Sequence, residues 1–403
     1  MNTLLPKILF ITPELPYPPI SGGKLKSWKL LEFLSKNYKL SVATILKEND
    51  EDQLKNFILE TNIDNLIFSP VKKARNLSNL LKSYCLNIPI NLYRTYSSYF
   101  KQKIKENIAQ YDMVIVDHYE VFQYIPSDYK GKIVLHEHNA YHLMWDRYAR
   151  DKKHSLSYRL VSFLEAIRVK SYEKKSCQQA DCVFASPNDI DTLESIGIDK
   201  DKFHYTYHLG DDEQLKLPSI QFKQTTKSLL YIGSLQWEAN VDGLLWFLEH
   251  VWPGLKEKQT DLHFTIIGKS PDQRLLKAAK NEQNITFTGF VNDLEKYYKN
   301  HRIFVAPLRF GAGMKVKVLN AMCRGIPIVT TSVGCEGMQV TNGQHMMIED
   351  TAQEMIKSIS QLLKDQNLWE SLEKNSRQLI AKKYTWEALF KDMKFELDLL
   401  LYP

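Results

Sequence analysis

Short apolar runs alternate with longer amphipathic segments along this chain, and the alternation starts a second time after residue 227. Helical patterns such as 24–36, 99–109 and 156–180 separate the apolar runs. This order is typical of a parallel sheet with helices on both faces. We therefore predict an α/β chain with two Rossmann-like domains joined through a polar stretch at 211–227. The predicted strands are 7–12, 40–45, 113–116, 132–135 and 182–185, then 229–232, 263–267, 285–287, 303–306 and 326–330.

The size and charge of the chain limit the classes of protein to consider. At 403 residues it is too long for one ordinary core and suits two domains. A net charge of +6 does not indicate nucleic acid, but it fits an anionic substrate or an acidic membrane surface. No apolar run reaches the roughly 18 residues that span a bilayer, and the first residues do not resemble a signal peptide, so we expect a cytoplasmic protein. The five cysteines are scattered and indicate neither a zinc site nor a disulfide framework.

The segment 309–325 (RFGAGMKVKVLNAMCRG) carries the strongest chemical signal. Gly311 and Gly313 lead into a helical pattern with Lys315 and Lys317 in its first turn. A glycine backbone lets a ligand come close, and a helix N-terminus attracts anions. Two lysines oppose the helix dipole unless an anion binds there. We therefore predict a site for a phosphorylated ligand, with a plain glycine loop and solvated lysines as the alternative.

Four further segments join this one in an order that resembles a known family. They are 11–24 (ITPELPYPPISGGK), 230–240 (LYIGSLQWEAN), 284–293 (NITFTGFVND) and 383–386 (KYTW), with 305–309 (VAPLR) leading into the glycines. Together they resemble the GT4 family of retaining glycosyltransferases (glycosyl transferases group 1), which have the GT-B fold. The resemblance implies two Rossmann-like domains that face each other across a cleft. It implies an acceptor-binding domain at 1–212, to which the C-terminal helix 386–403 crosses back, and a donor-binding domain at 213–385.

The resemblance also implies which residues hold the nucleotide sugar. The loops after two strands approach the diphosphate, and the segment 284–293 meets the nucleobase. Lys317 is the preferred catalytic cation, because it can neutralise charge on the leaving diphosphate. The implied donor-binding residues are Gly22, Gly23, Gly233, Ser234, Val291, Arg309, Gly311, Gly313, Lys315, Asn320 and Glu336.

The sequence departs from the family pattern at the positions that bind the donor. Members of the family usually have a pair of glutamates at the positions of Ala312 and Asn320, the second of which accepts hydrogen bonds from ribose hydroxyls. They often have an arginine and a lysine after the strand 229–232, where this chain has neither. An amide accepts a weaker hydrogen bond than a carboxylate, so we expect weaker donor binding.

Histidines follow two strands of the first half, as His118 and as His136 and His138. Family members place a histidine at the end of the second of these strands, near the donor sugar. The resemblance therefore implies a catalytic role for His138, and acceptor binding by His118 and Asn139. Structural histidines bonded to the backbone are the alternative. His136 and His138 have no evident third ligand, so we expect no metal.

The predicted reaction is transfer of a sugar from a UDP- or GDP-linked donor to a glycan or lipid-linked acceptor, with retention and without cofactor or metal. Assembly of a cell-envelope polysaccharide is the expected context. Lysines and aromatic residues at 83–105 suggest peripheral contact with the inner face of the cell membrane, with a solvated helix as the alternative. A nucleotide-sugar epimerase, a phosphorylase with pyridoxal phosphate and a catalytically inactive partner protein remain open. A dinucleotide fingerprint after the first strand is missing, which disfavours a dehydrogenase.

Overall fold

The computed structural model divides the chain into two compact units. Unit 1 comprises Met1–His208 and Phe390–Pro403, and unit 2 comprises Leu209–Leu389. Each unit contains a parallel sheet with helices, so the predicted α/β class is confirmed. The residues that the structure describes are 5–19, 21–47, 50–71, 73–74, 76–151, 155–207, 209–311 and 314–402. Within these ranges, no helix is both long and apolar enough to cross a membrane.

The sheet of unit 1 has the strand order β3-β2-β1-β4-β5-β6-β7 over the described residues. The order reverses between β1 and β4, and in open parallel sheets such a point forms a crevice at the carboxyl ends of the strands. The strands are β1 (Lys7–Thr12), β2 (Lys39–Leu46), β3 (Asn65–Pro70), β4 (Met113–Asp117), β5 (Lys132–His136), β6 (Cys182–Ala185) and β7 (Phe203–Tyr205). The helices are α1 (Gly22–Asn37), α2 (Glu51–Glu60), α3 (Leu77–Cys85), α4 (Ile90–Thr95), α5 (Ser98–Asn107), α6 (Tyr141–Arg150), α7 (Leu156–Gln179) and α8 (Pro187–Glu194).

The sheet of unit 2 has the order β10-β9-β8-β11-β12-β13 over the described residues. Its central strands are apolar runs, because both faces of a parallel sheet are covered by helices. The strands are β8 (Thr226–Ile232), β9 (His263–Ile267), β10 (Ile285–Gly289), β11 (His301–Ala306), β12 (Ile328–Thr330) and β13 (Met347–Ile348). The helices are α9 (Glu238–Trp246), α10 (Trp252–Lys258), α11 (Gln273–Ala278), α12 (Glu295–Asn300), α13 (Val316–Arg324), α14 (Ala352–Leu362), α15 (Gln366–Lys383) and α16 (Trp386–Leu401).

The last helix, α16, contributes residues to both units. At its start, the Trp386 backbone N–H donates to the Asp212 carboxylate at 2.8 Å within unit 2. From Phe390 onward its residues belong to unit 1, where Phe390 stacks on Phe33 with ring centroids 4.7 Å apart. The Tyr38 hydroxyl donates to Asp398 at 2.8 Å. The predicted return of the C-terminal helix to the first domain is therefore confirmed.

The strands that the sequence did not predict lie at sheet edges. β3 (Asn65–Pro70) has exposed residues at alternate positions, and β7 (Phe203–Tyr205) and β13 (Met347–Ile348) have three and two residues. Such strands lack the continuous apolar run that identifies a central strand. The predicted strand 326–330 begins later, at Ile328, because Gly325 ends α13 in a left-handed conformation with φ +84°.

Candidate functional site

Three of the predicted donor-binding positions lie at one edge of the unit 2 sheet. Gly233 follows β8, Arg309 lies beyond the end of β11, and Glu336 follows β12 in the chain. These strands are parallel and adjacent in the order β8-β11-β12, so their carboxyl ends lie side by side. This is the edge at which parallel α/β sheets bind ligands.

Lys317 is held next to Gly233 at this edge. It is the second residue of α13 (Val316–Arg324), and its Nζ donates to the Tyr231 hydroxyl at 2.8 Å and to Asn240 Oδ1 at 2.5 Å. A Cβ added to Gly233 would lie 3.3 Å from the Lys317 Nζ. A side chain at position 233 would therefore crowd the ammonium group.

The hydrogen bonds of Lys317 do not offset its charge, because both bond partners given above are neutral. Burial, followed by the charge of Lys315, lowers the pKa of Lys317 to about 7. An anion beside this group favours its protonated form. A phosphate bound at this edge would therefore raise the pKa of Lys317 and meet a fully protonated ammonium group. In the free protein, Lys317 is only partly protonated at neutral pH.

Asn240 was missed as a functional residue, although it is the last residue of the motif 230–240. Its Nδ2 donates to the Ser234 backbone carbonyl at 2.8 Å, while its Oδ1 accepts from Lys317. One amide thus fixes both the predicted phosphate loop and the cation. Lys317 lies 77 residues further along the chain, and no local spacing could have paired the two.

The other two predicted cations have carboxylate partners. Arg309 donates through Nε and Nη2 to both oxygens of Asp242 in α9, at 2.9 and 2.7 Å. Lys315 directs its Nζ to Glu336 at 3.4 Å. A carboxylate neighbour reduces the charge that a cation can offer to a phosphate. Lys317 therefore remains the best candidate for contact with the diphosphate.

Asn320 has a structural partner within unit 2. Its Oδ1 accepts from the Asp211 backbone N–H at 2.8 Å, and a Cβ added to Gly210 would lie 1.9 Å from the same oxygen. The amide therefore packs tightly against the segment that begins unit 2. A carbonyl oxygen has a second lone pair, so a ribose contact by Asn320 stays a prediction.

The remaining predicted positions of unit 2 are less constrained. Gly311 is exposed and has φ +137°, a conformation that favours glycine. Gly313 and Ala312 lie outside the described residues. Val291 is half-buried after β10 and adjoins the exposed Phe290, whose ring lies 4.4 Å from the Lys269 Nζ. The contact of Val291 with a nucleobase stays a prediction.

In unit 1, Asp117 at the end of β4 organises the histidines. Its Oδ1 accepts from His136 Nδ1 and from His138 Nε2, both at 2.8 Å. Its Oδ2 accepts from the Ser27 hydroxyl at 2.6 Å and the Thr12 hydroxyl at 3.1 Å. Burial raises the pKa of this carboxyl, but the histidines lower it further, so the net pKa lies well below the ordinary value. Asp117 is therefore an ionised, fully buried anchor.

His138 is buried and packs against His118. It is 1% exposed, and burial lowers its pKa well below the ordinary value, so the ring is neutral. Because Nε2 donates to Asp117, Nδ1 carries the lone pair; it lies 3.9 Å from a Cβ added to Gly23. The rings of His118 and His138 stack with centroids 3.7 Å apart. His138 thus packs against His118 and helps to fix its ring. Direct contact of His138 with a donor sugar stays a prediction.

His118 lines a cavity of about 1040 Å³ within unit 1. Its Nδ1 lies 3.1 Å from the Tyr141 hydroxyl. Its backbone has φ +74°, a conformation that costs a non-glycine residue about 1–3 kcal/mol and is found most often at functional sites. Asn139, the other predicted acceptor residue, is exposed in the segment that follows β5.

Gly22 and Gly23 are the first residues of α1, where a glycine loop was predicted. Ser21 precedes them, and its hydroxyl accepts from the Lys24 backbone N–H at 3.3 Å, which caps the helix. A Cβ added to Gly22 would meet open space. The space at this helix start leaves room for a ligand to approach the backbone.

Asp117, His136 and His138 are also residue types that ligate zinc, and their ligand atoms lie within 4.8 Å of one another. Each histidine donates directly to the carboxylate, which uses the atoms that a metal would need. The hydrogen bonds alone account for the arrangement. The expected metal independence stays a prediction.

Most of unit 2 matches a known protein family. Residues 226–365 match the family model described as glycosyl transferases group 1. The chain is a glycosyltransferase with a group 1 domain. The match covers the edge of the sheet that holds Gly233, Lys317 and Glu336, and the predicted resemblance to this group is confirmed.

A curated relative resembles this glycosyltransferase over its whole length. It is a protein of Klebsiella pneumoniae described as an uncharacterized 44.6 kDa protein in the cps region. The two sequences are 25% identical over 404 residues, which cover 96% of this chain and 98% of the relative.

Solved structures share the fold. Anabaena Alr3699/HepE, in complex with UDP and glucose, has a TM-score of 0.63 at 13% identity, covering 98% of this chain and 99% of that one. WaaG, a glycosyltransferase involved in lipopolysaccharide biosynthesis, has a TM-score of 0.63 at 15% identity, with 96% and 99% covered. A mutant of S. aureus TarM, in complex with fondaparinux, alpha-GlcNAc-glycerol and UDP, has a TM-score of 0.63 at 12% identity, with 99% and 100% covered. The predicted GT-B fold is confirmed.

Proposed function

We propose that this glycosyltransferase moves a sugar from a nucleotide diphosphate sugar to a glycan or lipid-linked acceptor, with retention, as the GT4 resemblance implies. Unit 2 binds the donor, and unit 1 binds the acceptor. UDP in the similar structures of HepE and TarM supports a UDP-linked donor, with GDP as the alternative. The cps-region location of the Klebsiella relative supports a role in polysaccharide synthesis.

The observation that carries the proposal is the position of Lys317. Its ammonium group lies beside Gly233, at the carboxyl-end edge of the unit 2 sheet. Cleavage of the donor's glycosidic bond leaves negative charge on the diphosphate, and fixed donors at that point lower the barrier. Because Lys317 has neutral bond partners, its charge is available to the leaving group.

Calorimetric titration with UDP and GDP tests the proposal, followed by hydrolysis of a panel of nucleotide sugars. We expect one nucleotide to bind, and the matching nucleotide sugars to be hydrolysed slowly without acceptor. Binding of neither nucleotide would contradict the proposal and favour an inactive partner protein. Interconversion of free nucleotide sugars without transfer would instead indicate an epimerase.

The stereochemistry and the metal requirement have their own tests. NMR of the anomeric proton in a freshly formed product reports retention or inversion. We expect the product to keep the anomeric configuration of the donor, because the diphosphate and the acceptor use the same face in the mechanism that the resemblance implies. We also expect full activity in EDTA, and an EDTA-sensitive reaction would contradict metal independence.

A further inference from the structure

One acidic side chain in the wall of the unit 1 cavity has no hydrogen-bond partner among the residues that the structure describes. Glu120 lies in the short 3-10 helix Tyr119–Tyr124, just after β4, and lines the cavity. Its backbone carbonyl accepts from Gln123 Nε2 at 2.8 Å, whereas no described residue donates a hydrogen bond to its carboxyl group. Polar groups enclosed by a protein are normally bonded within it, so this exception points to a ligand.

Two other carboxyl groups of unit 1 show why Glu120 is unusual. Glu173 is fully buried and accepts from the Tyr141 backbone N–H at 2.6 Å and from the backbone N–H and Nδ1 of His142 at 3.1 and 2.6 Å. Glu137 has no partner among the described residues either, but it is fully buried and is not part of the cavity wall. Glu120 is half-buried, so a ligand in the cavity can reach its carboxyl group.

The surroundings of Glu120 keep its carboxyl group close to half-ionised. Burial raises the pKa of Glu120 to about 7; Lys47 lowers this pKa, and Glu14, Glu173 and Asp117 raise it. Lys47 forms an ion pair with Glu14, which reduces the charge that it offers to Glu120. At neutral pH both forms of the carboxyl group are therefore present, and a ligand that donates hydrogen bonds to it favours the ionised form.

Aromatic side chains form another part of the cavity wall. Tyr141, Trp145 and Tyr148 come from α6, and Tyr158 comes from the first turns of α7. The Trp145 and Tyr148 rings meet edge to face with centroids 6.1 Å apart, and the Tyr148 and Tyr158 centroids are 6.3 Å apart. Aromatic rings offer a flat apolar face. A sugar ring has C–H groups on its faces and hydroxyls around its edge, so this wall suits the faces and the Glu120 carboxyl suits the hydroxyls.

The size of the cavity indicates more than one sugar unit. Its volume of about 1040 Å³ is at the upper end of the roughly 300–1,000 Å³ that small-molecule sites occupy. A ligand of about two or three linked sugars fills a site of that size. Asn91, Thr95 and Ser157 add neutral polar groups to the wall, which can exchange hydrogen bonds with further hydroxyls.

We propose that the unit 1 cavity binds the end of an oligosaccharide acceptor, and that Glu120 accepts hydrogen bonds from hydroxyl groups of a sugar that lies against the aromatic wall. This inference rests on the proposed function, which assigns the acceptor to unit 1. It makes Glu120 a specificity-determining residue, because a site built to bond a hydroxyl disfavours a ligand that lacks it.

Titration calorimetry of the full chain with maltotriose, cellotriose and triacetylchitotriose tests the binding. We expect at least one trisaccharide to bind, and to bind more tightly at pH 8 than at pH 5.5, because an ionised carboxylate is the stronger acceptor. Glu120→Gln should weaken this binding about tenfold at pH 8 and remove its pH dependence. The matched control is Glu106→Gln, which removes an exposed carboxylate from α5 of the same unit and should bind like the unaltered protein.

Thermal unfolding of the same variants separates this role from a structural one. The pKa of Glu120 is raised in the folded state, so its contribution to stability is full below the unfolded pKa of about 4.3 and is lost as the pH rises through 7. Glu120→Gln should therefore gain a few degrees in unfolding temperature over the unaltered protein as the pH rises from 5 to 8. A structural carboxylate would instead lose stability on substitution.

Three results would overturn the proposal. The first is that none of the trisaccharides binds, and the second is that Glu120→Gln binds as tightly as the unaltered protein at pH 8 or loses binding together with stability. The third is that deacetylated chitotriose binds and the neutral trisaccharides do not, since Glu120 would then pair with an ammonium group. UDP titration of the same samples tests unit 2 separately: UDP binding without saccharide binding contradicts this inference alone, and binding of neither UDP nor GDP contradicts the proposed function.

Discussion

The two candidate sites differ in how the protein bonds their buried charged group. In unit 1, the Asp117 carboxylate is fully buried and accepts four hydrogen bonds from His136, His138, Ser27 and Thr12. In unit 2, the Lys317 ammonium group donates to two neutral oxygens, and burial lowers its pKa to about 7. A charge that is surrounded by hydrogen bonds within the protein fixes geometry. A charge whose bond partners are neutral is available to a ligand.

The comparison predicts a structural role for Asp117 in unit 1 and a ligand-binding role for Lys317 in unit 2. The ionised Asp117 accepts a hydrogen bond from one ring nitrogen of each of two neutral histidines and so fixes the orientation of their rings. One of these rings, that of His138, stacks on His118. Lys317 supplies charge to whatever anion enters beside Gly233. Substitutions in the first site should therefore change stability most, whereas substitutions in the second should change affinity most.

The largest effect should follow from Asp117→Asn. The change removes the buried negative charge that two histidines and two hydroxyls share, which costs about 4 kcal/mol in the free energy of unfolding of unit 1. Thermal unfolding followed by calorimetry checks this. UDP affinity of the folded protein should be unchanged. A parallel loss of UDP affinity would contradict the claim that Asp117 acts on stability rather than on donor binding. Asp128→Asn, at an exposed position of the same unit, is the control and should have little effect.

The next effect is expected for Lys317→Ala. Loss of the ammonium group should weaken UDP or GDP binding by about 100-fold, roughly 3 kcal/mol, since it removes a charge-assisted contact with phosphate. Titration calorimetry measures the affinity. The control is Lys277→Ala, which removes an exposed lysine from α11 of the same unit. Equal affinities for Lys317→Ala and the unaltered protein would contradict the assignment of the phosphate site.

A smaller change should result from giving Lys317 the kind of partner that Asp117 gives the histidines. Asn240→Asp places a carboxylate at the amide that accepts from Nζ at 2.5 Å. The pKa of Lys317 should rise and UDP affinity should fall about tenfold, because the cation is already compensated and the new charge repels phosphate. Asn300→Asp adds the same charge at an exposed position and controls for net charge. Unchanged or tighter UDP binding by Asn240→Asp would show that Lys317 does not contact the anion.

The smallest effect concerns Asn320. Asn320→Ala removes the acceptor for the Asp211 backbone N–H and should cost about 1 kcal/mol of unfolding free energy in unit 2. We expect UDP affinity to change by no more than about threefold, because the amide is already engaged within the protein. A tenfold loss of UDP affinity without a loss of stability would instead support the ribose contact that the family resemblance implies.

The fold was largely predictable because its central strands are continuous apolar runs. Both sheets and the return of the last helix follow from that pattern and the motifs. The edge strand β3 escaped prediction because it alternates exposed and buried residues. The outward apolar residues of α7, such as Leu156 (80% exposed) and Leu160 (60% exposed), could not be predicted either, since their helical spacing is ordinary and only the packed structure shows which face points outward.

The candidate sites were predictable where a motif is local. Lys317 stands out because it lies in a helix start after glycines. Its partners Tyr231 and Asn240 lie 86 and 77 residues earlier, and the Asp242 partner of Arg309 lies 67 residues earlier, so no spacing reveals them. Asp117 had one readable signal that was overlooked: a carboxylate that ends a fully apolar strand has to be paired.

Proton uptake on nucleotide binding tests the central claim most directly. At pH 8 the free Lys317 is mostly neutral, because its pKa is about 7, and a bound diphosphate raises that pKa and recruits a proton. Calorimetric titration with UDP or GDP at pH 8, in two buffers of different ionisation enthalpy, gives the number of protons taken up. We predict close to one proton per bound nucleotide, absent in Lys317→Ala, and an affinity that falls as pH rises above 7. Binding without proton uptake, or with the same uptake in Lys317→Ala, would contradict the account.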